Sequence, residues 1–127
     1  MIEVKKSKII SAGLGVFATQ DIPAKNIIGE YKGILINREQ FELLEDTRYV
    51  FELSKKIGNY YKTFYVNATD PKYSNNLRYI NGAKTKVQKK KINLYAYQYK
   101  EKIFYKTSRF IFKGEELLLD YGDSYWI

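Results

Sequence analysis

Short strand-like segments, separated by turn residues, run along almost the whole chain. Stretches such as INLYAYQY and KIFYKTSRF alternate apolar and polar side chains, which is the pattern of half-buried β-strands. Glycine, proline, asparagine and aspartate interrupt these segments at short intervals and favour turns there. A mostly β fold with many short strands and little helix is therefore predicted. With 127 residues, the chain is expected to form a single domain over residues 1–127.

One segment carries a helix signal. Asn37 can cap a helix in NREQFELLED, and Gln40 lies where the reciprocal partner of a capping box belongs. Phe41, Leu43 and Leu44 are expected on its buried side. The sequence thus predicts a short helix between two groups of strands.

Two hairpins are predicted. YVFEL and TFYVNAT flank KKIGNY, where Gly58 can adopt a positive φ angle. INLYAYQY and KIFYKTSRFIF form the second pair, with KEK at the tip. In the first strand of this second hairpin Ile92, Leu94 and Ala96 share a face, and in the second strand Ile103 and Tyr105 share one.

The residue types that are missing limit the chemistry. The chain has no cysteine, which excludes disulfides and thiolate zinc sites, and no histidine, the usual general base and a common metal ligand. It has thirteen tyrosines, which combine apolar area with a polar hydroxyl. Any catalysis must therefore use tyrosine, carboxylate, lysine or backbone groups, and no metal site is expected.

The net charge of +8 favours an anionic partner, of which nucleic acid is the commonest. The densest basic run is GAKTKVQKKKIN. A solvated lysine-rich surface explains the charge equally well. No apolar run approaches the roughly 18 residues that span a bilayer, and the N-terminus lacks the zones of a signal peptide. A soluble intracellular protein without a membrane partner is expected.

Each local motif is weak when it is read alone. AGLG is an ordinary turn, GEYKG is compatible with a strand bulge, and Asn81-Gly82 is a common turn dipeptide. Tyr31, Tyr105 and Tyr121 could each be a core aromatic residue with a satisfied hydroxyl. Their order along the chain is more specific than any one of them.

In that order, AGLGVFA, GEYKG, YVNATDPKYSNNLRYINGA and YQYKEKIFYKTSRFIFKGEELLLDYGDSYW resemble a SET domain, from about residue 11 to residue 126. The chain is most similar to the PR subtype and to compact viral SET proteins, which leaves a viral source open. The resemblance implies a fold of several short curved β-sheets with a pseudoknot-like C-terminal segment. It implies an S-adenosyl-L-methionine-dependent protein-lysine N-methyltransferase that acts on a histone or another lysine-containing protein, at chromatin or in the nucleus.

The resemblance also implies roles for individual residues. Those that match the lysine channel are Tyr31, Tyr105 and Tyr121, the last being the position usually called catalytic. Those that match the binding site of the methyl donor are Ala12, Gly13, Leu14, Tyr49, Asn81, Gly82 and, more loosely, Trp126. The acidic residues Glu115 and Glu116 could face an incoming basic peptide, or be plain solvated charges.

One departure from the family keeps an alternative open. SET domains typically have Asn-His where this chain has Asn81-Gly82. The PR subtype also departs from Asn-His at this position. The alternative is a catalytically silent domain that binds protein or nucleic acid. The lysines could contact nucleosomal DNA, and a homodimer is expected by analogy with the viral members.

Physical chemistry allows tyrosines to serve such a reaction. Methyl transfer to an amine is an in-line displacement, so alignment of the two reactants supplies much of the acceleration. A narrow apolar channel lowers the pKa of a lysine by disfavouring its charged form. Tyrosine rings attract cations, and their hydroxyls accept hydrogen bonds from the amine. We therefore expect the Tyr121 hydroxyl to orient the amine toward the methyl group.

Overall fold

A computed structural model describes residues 1–120. Strands dominate this part of the chain, and the two α-helices are one turn long, so the expected mostly β fold is confirmed. The strands are β1 (Ile2–Lys6), β2 (Leu14–Ala18), β3 (Ile27–Glu30), β4 (Ile34–Ile36), β5 (Val50–Ile57), β6 (Tyr60–Asn67), β7 (Asn81–Gly82), β8 (Leu94–Tyr99), β9 (Lys102–Thr107) and β10 (Leu118–Asp120).

The strands form three small sheets. β1 pairs with β2 in an antiparallel ribbon, and a second sheet has the order β4-β6-β5. The third sheet has the order β3-β9-β8-β10-β7. In it, β10 lies between β7 and β8 and runs parallel to both, with Leu119 opposite Gly82 on one side and Leu94 on the other. The C-terminal part of the chain thus inserts between two strands that precede it.

The predicted helix begins where its capping box indicates. Helix α1 (Arg38–Glu42) follows Asn37, whose side chain accepts a 2.8 Å hydrogen bond from the backbone of Gln40. The Gln40 side chain accepts a 2.9 Å bond from the Asn37 amide in return. Because the helix ends at Glu42, Leu43 is 83% exposed and its predicted burial is wrong.

A second helix is present that was not predicted from the sequence. Helix α2 (Lys86–Lys89) lies in the basic run and has its own capping box, formed by Thr85 and Gln88. No helix in the described range 1–120 is long and apolar enough to cross a membrane.

Both predicted hairpins form. β5 and β6 pair along their full length, and Gly58 at their turn has a φ angle of 58°. β8 and β9 pair along their full length, with Leu94 opposite Thr107 at one end and Tyr99 opposite Lys102 at the other. The turn between them is at residues 100–101. The predicted inward faces of this hairpin are confirmed for Leu94, Ala96, Ile103 and Tyr105, which are all buried. Ile92 lies before β8 and is half-buried.

A buried asparagine holds the C-terminal segment against the third sheet. The side chain of Asn93 donates a 2.9 Å hydrogen bond to the carbonyl of Glu116 and accepts a 2.8 Å bond from the amide of Leu118. Asn93 is fully buried, so these two bonds satisfy backbone groups that water does not reach. They fix the position from which β10 enters the sheet.

Candidate active site

A cleft of about 740 Å³ brings together most of the residues predicted for the site. It is of the size that holds a cofactor or a drug-sized ligand, about 300–1,000 Å³. We call it the inner cleft. The predicted residues that line it are Ala12, Tyr31, Tyr49, Asn81, Gly82 and Tyr105. These residues are spread from position 12 to position 105, so folding brings distant parts of the chain together at the cleft.

Two buried tyrosines lie next to each other at the cleft. Tyr31 follows β3, and its amide donates a 2.8 Å hydrogen bond to the carbonyl of Ile103, while Tyr105 lies on β9. Their ring centroids are 5.6 Å apart, and they are 3% and 1% exposed. A register shift in β3 between Ile27 and Gly29 lies just before Tyr31. The irregularity therefore lies just before GEYKG, within which Gly29 and Glu30 pair regularly with β9.

Phe51 completes this aromatic group, and the sequence analysis missed it. Its ring centroid lies 4.5 Å from that of Tyr31 and 5.7 Å from that of Tyr105. It is buried on β5, in a different sheet from Tyr105. The alternation of YVFEL predicts an inward side chain at this position, but no local signal shows which residues it meets.

The AGLG stretch forms one rim of the inner cleft. Ala12 lines the cleft, whereas Gly13 and Leu14 adjoin it without lining it. The Gly13 carbonyl accepts a 2.8 Å hydrogen bond from the amide of Ser7. The Leu14 carbonyl accepts a 2.9 Å bond from the side-chain amide of Asn81. The two segments predicted to hold the methyl donor are therefore joined directly.

Tyr49 lies between two arginines at another edge of the cleft. The guanidinium carbon of Arg78 is 4.6 Å from the centre of the Tyr49 ring, and that of Arg48 is 5.6 Å from it. Arg78 also donates bonds of 2.8 Å and 2.6 Å to the carbonyls of Ala68 and Thr69. These bonds fix the guanidinium, and its cation–π contact with Tyr49 holds the ring in place.

Arg48 is held by a neighbouring carboxylate. Its guanidinium donates hydrogen bonds to both oxygens of Asp46, the shortest being 2.8 Å. These bonds, together with one from the Arg48 backbone, lower the pKa of Asp46 to about 2. The pair is therefore charged at neutral pH and keeps a cation beside Tyr49.

A second cleft, of about 880 Å³, shares Tyr31 with the inner cleft. We call it the outer cleft. Gly33, Leu35, Val66 and Phe104 contribute apolar surface to it. Its charged lining residues are Glu30, Lys55, Lys100, Glu101 and Lys102, and Lys55 pairs with Glu101 at 2.6 Å. Tyr31 thus lies at the boundary between the outer cleft and the inner cleft.

The two glutamates before β10 contact this chain itself. Glu115 accepts a 2.8 Å hydrogen bond from the Phe112 amide and a 3.1 Å bond from Arg109. Glu116 accepts a 2.7 Å bond from the Ser7 hydroxyl. Both carboxylates therefore have donors within the chain, and the interpretation that they face a basic peptide stays a prediction.

Two predicted site residues, Tyr121 and Trp126, lie outside the described residues. The last described strand, β10, ends at Asp120, the residue before Tyr121. The roles of both residues stay predictions.

The three small sheets, the inserted last strand and the tyrosine-lined cleft define a SET-type domain, as the sequence resemblance predicted. Residues 2–127 match the family model described as PR domain zinc finger protein 2, PR domain. The chain therefore belongs to the PR domain family.

Known proteins agree with this assignment. The histone-lysine N-methyltransferase set-17 of Caenorhabditis elegans is 34% identical over 98% of this chain. The methyltransferase domain of human PR domain-containing protein 2 superposes with a TM-score of 0.75 at 29% identity, covering 93% of this chain and 74% of that one. The structure of ctPRC2 in an autoinhibited conformation bound to S-adenosylmethionine gives a TM-score of 0.73 at 25% identity, covering 96% of this chain and 15% of that one.

The chain spans less than half of the length of its curated relatives, since it covers 42% of set-17. The shared part is the domain that carries the inner cleft.

Proposed function

We propose that this chain is an S-adenosyl-L-methionine-dependent protein-lysine N-methyltransferase whose substrate is a histone. The observation that carries the proposal is the inner cleft, where two buried tyrosines meet the segments around Ala12 and Asn81. Two of the comparisons support this proposal. One relative is named a histone-lysine N-methyltransferase, and one similar structure is bound to S-adenosylmethionine.

The inner cleft fits the methyl donor in size and in chemistry. Its rim offers backbone groups at Ala12, the amide of Asn81 and the ring of Tyr49, which suit a ligand with an aromatic base and several hydrogen-bonding groups. We expect Ala12, Gly13, Leu14, Tyr49, Asn81, Gly82 and Trp126 to hold it. When bound, the donor supplies a methyl group on a positively charged sulfur.

Asn81 illustrates how the chain prepares this site. Both hydrogen bonds donated by its amide nitrogen go to the protein, to the Leu14 carbonyl and to the Glu116 carboxylate. The backbone of Asn81 pairs with β10, so the amide oxygen is the polar group of this residue that we expect to face a ligand. A side chain whose orientation is set before binding loses less entropy when the ligand arrives.

The tyrosines would act by orienting and desolvating the target amine. A lysine side chain that reaches Tyr31 and Tyr105 is desolvated, because both rings are almost fully buried. Desolvation lowers the pKa of the amine, so more of it is neutral and able to react. We infer that the hydroxyls of Tyr31, Tyr105 and Tyr121 then fix the direction of its lone pair.

The outer cleft is the proposed entrance for the substrate. Because Tyr31 lines both clefts, a lysine side chain from a peptide in the outer cleft would pass Tyr31 to reach the inner one. The apolar lining of the outer cleft suits the methylene stem of the lysine, while its charged rim contacts water and polar groups of the peptide.

A histone substrate places the proposed site of action at chromatin, in the nucleus of a cell. The lysines of the basic run could then contact nucleosomal DNA. Residues 84–91 contain five lysines, all exposed, and none of them forms an ion pair with a residue in the range 1–120. Their charge is therefore available to phosphates. The homodimer expected by analogy stays a prediction.

Two measurements test the proposed function. Calorimetric titration with S-adenosyl-L-methionine should give saturable binding, and incubation with labelled donor and each core histone should label at least one of them on lysine. Binding without transfer to any histone, alone or in nucleosomes, would favour the silent domain. Absence of donor binding would contradict the assignment of the inner cleft.

A further inference from the structure

The carboxylate of Glu116 joins two segments that border the inner cleft. One oxygen accepts a 2.7 Å hydrogen bond from the Ser7 hydroxyl and a 3.3 Å bond from the side-chain amide of Asn81. The other accepts a 3.0 Å bond from the backbone amide of Lys8. Ser7 and Lys8 lead into residues 9–12, which line the cleft, and Asn81 lines it on the other side. A single side chain thus links both rims.

The backbone of Glu116 is held independently of this side chain. It forms a β-bridge with Phe17, and its carbonyl accepts the hydrogen bond from the buried Asn93. Replacing the side chain therefore leaves the backbone of the segment in place. The carboxylate is a separable part of the structure, which makes its role accessible to mutation.

Ser7, Lys8 and Asn81 all donate hydrogen bonds to Glu116, so both of its oxygens must act as acceptors. A carboxylate only accepts hydrogen bonds, whereas the amide of glutamine carries one oxygen and a nitrogen that donates. In Glu116→Gln, an oxygen directed at Ser7 and Asn81 would turn the nitrogen toward the Lys8 amide, so that two donors face each other. The isosteric change should therefore lose the bond to Lys8.

The chain also makes room for this carboxylate. A Cβ atom on Gly15 would clash with the nearer Glu116 oxygen and would lie 3.1 Å from the side chain of Ser7. Glycine at position 15 therefore allows the carboxylate to reach Ser7.

We propose that Glu116 is a positioning residue for the methyl donor. It holds the 7–12 segment and the amide of Asn81 in the arrangement that receives the donor, without touching the reacting atoms. The inference rests on the proposed function, and it adds a residue that the sequence resemblance does not assign. Loss of the carboxylate should weaken donor binding while the tyrosine group continues to act on whatever donor is bound.

The first measurement does not depend on donor binding. Hydrogen exchange of individual amides is compared in the wild type, Glu116→Ala, Glu116→Gln and the control Glu115→Gln, whose carboxylate pairs with Arg109 instead. Both Glu116 variants should speed exchange at the Lys8 amide about tenfold, the loss of one charge-assisted bond. Exchange at the core amide of Leu94, which follows global unfolding, should change no more in the Glu116 variants than in Glu115→Gln, and this comparison distinguishes a local effect from general destabilisation.

The second measurement concerns the donor. Calorimetry should show that Glu116→Ala weakens binding of S-adenosyl-L-methionine about tenfold, and steady-state kinetics should show a higher KM for the donor with kcat within about threefold of the wild type. Glu115→Gln should leave both values unchanged.

The results of the two measurements support or overturn the positioning role of Glu116. Unchanged Lys8 exchange in Glu116→Ala would overturn the inference, and so would faster exchange with unaltered donor affinity, because the carboxylate would then be structural only. If the wild type bound no donor, the proposed function would fail and the positioning role with it, while the exchange data would still report whether Glu116 holds the 7–12 segment.

Discussion

The rings of Tyr31 and Tyr105 lie 5.6 Å apart, at an angle of 34°, although one follows β3 and the other lies on β9. Phe51, from a different sheet, packs against both. Neither tyrosine has contact with bulk water over more than a few per cent of its surface. The site is therefore built by convergence of three strands on one dry aromatic group, and its chemistry depends on the packing of that group.

Phe51 should support both tyrosines. Phe51→Leu removes part of the ring surface that Tyr31 and Tyr105 contact and leaves a partial cavity, at an expected cost of about 1–3 kcal/mol in the free energy of unfolding. Chemical denaturation measures this loss. The exposed Phe112→Leu serves as the control and should change stability by less than about 0.5 kcal/mol. Equal effects of the two substitutions would contradict the proposed support.

Asn93 should matter more for stability than its size suggests. Asn93→Ala leaves the Glu116 carbonyl and the Leu118 amide without their partner in a buried place, at a cost of about 2–4 kcal/mol. Thermal and chemical unfolding measure the difference. The control is Asn59→Ala in the exposed β5–β6 turn, which should be nearly neutral. A near-neutral Asn93→Ala would show that water replaces these bonds.

Glu115 should give the stability a dependence on acidic pH. Burial alone raises the pKa of this carboxyl, but hydrogen bonds from the Phe112 amide and from Arg109, with the charge of Arg109, outweigh it and lower the pKa below its usual value. The stabilisation is therefore complete above the unfolded pKa of about 4.3 and is lost as the pH falls through the lower folded pKa.

The measurement compares the wild type with Glu115→Gln. The wild type should be more stable by about 1 kcal/mol at neutral pH, and the difference should shrink as the pH falls below about 4. Urea unfolding across this range gives both values. A difference that stays constant down to pH 3 would contradict the assigned cause.

The basic run should give nucleosome binding part of its salt dependence. Replacing Lys84, Lys86, Lys89, Lys90 and Lys91 with glutamine should reduce the slope of log K against log[salt] by about 0.9 for each phosphate that these lysines neutralise. A matched variant removes five exposed lysines that line neither cleft, namely Lys32, Lys56, Lys62, Lys72 and Lys113. Equal slopes for the two variants would assign the effect to net charge rather than to this segment.

Local signals were sufficient for the elements that local contacts determine. The capping box of Asn37 and Gln40 indicated the start of α1, and Gly58 indicated the β5–β6 turn, because both depend on residues a few positions apart. Helix α2 has the same kind of signal at Thr85 and Gln88. It was overlooked because its exposed lysines show no apolar periodicity.

Contacts between distant segments could not be predicted in this way. Glu116 meets Ser7 across almost the whole chain, and Phe51 meets Tyr105 between two sheets, so neither pairing leaves a pattern in a short window. The resemblance to a known family named six of the residues that line the inner cleft, but not those that hold them in place. Arg78, Phe51 and Glu116 emerge only from the packing.

The most direct test of the account is transfer of labelled methyl groups to histone by Tyr105→Phe. This change keeps the buried ring and removes only the hydroxyl, and Tyr60→Phe, on the exposed hairpin tip, is its control. The account predicts that Tyr105→Phe remains folded, binds the donor and loses about 100-fold or more of the transfer rate, while Tyr60→Phe keeps the wild-type rate. A folded Tyr105→Phe variant that transfers methyl groups at the wild-type rate would contradict it.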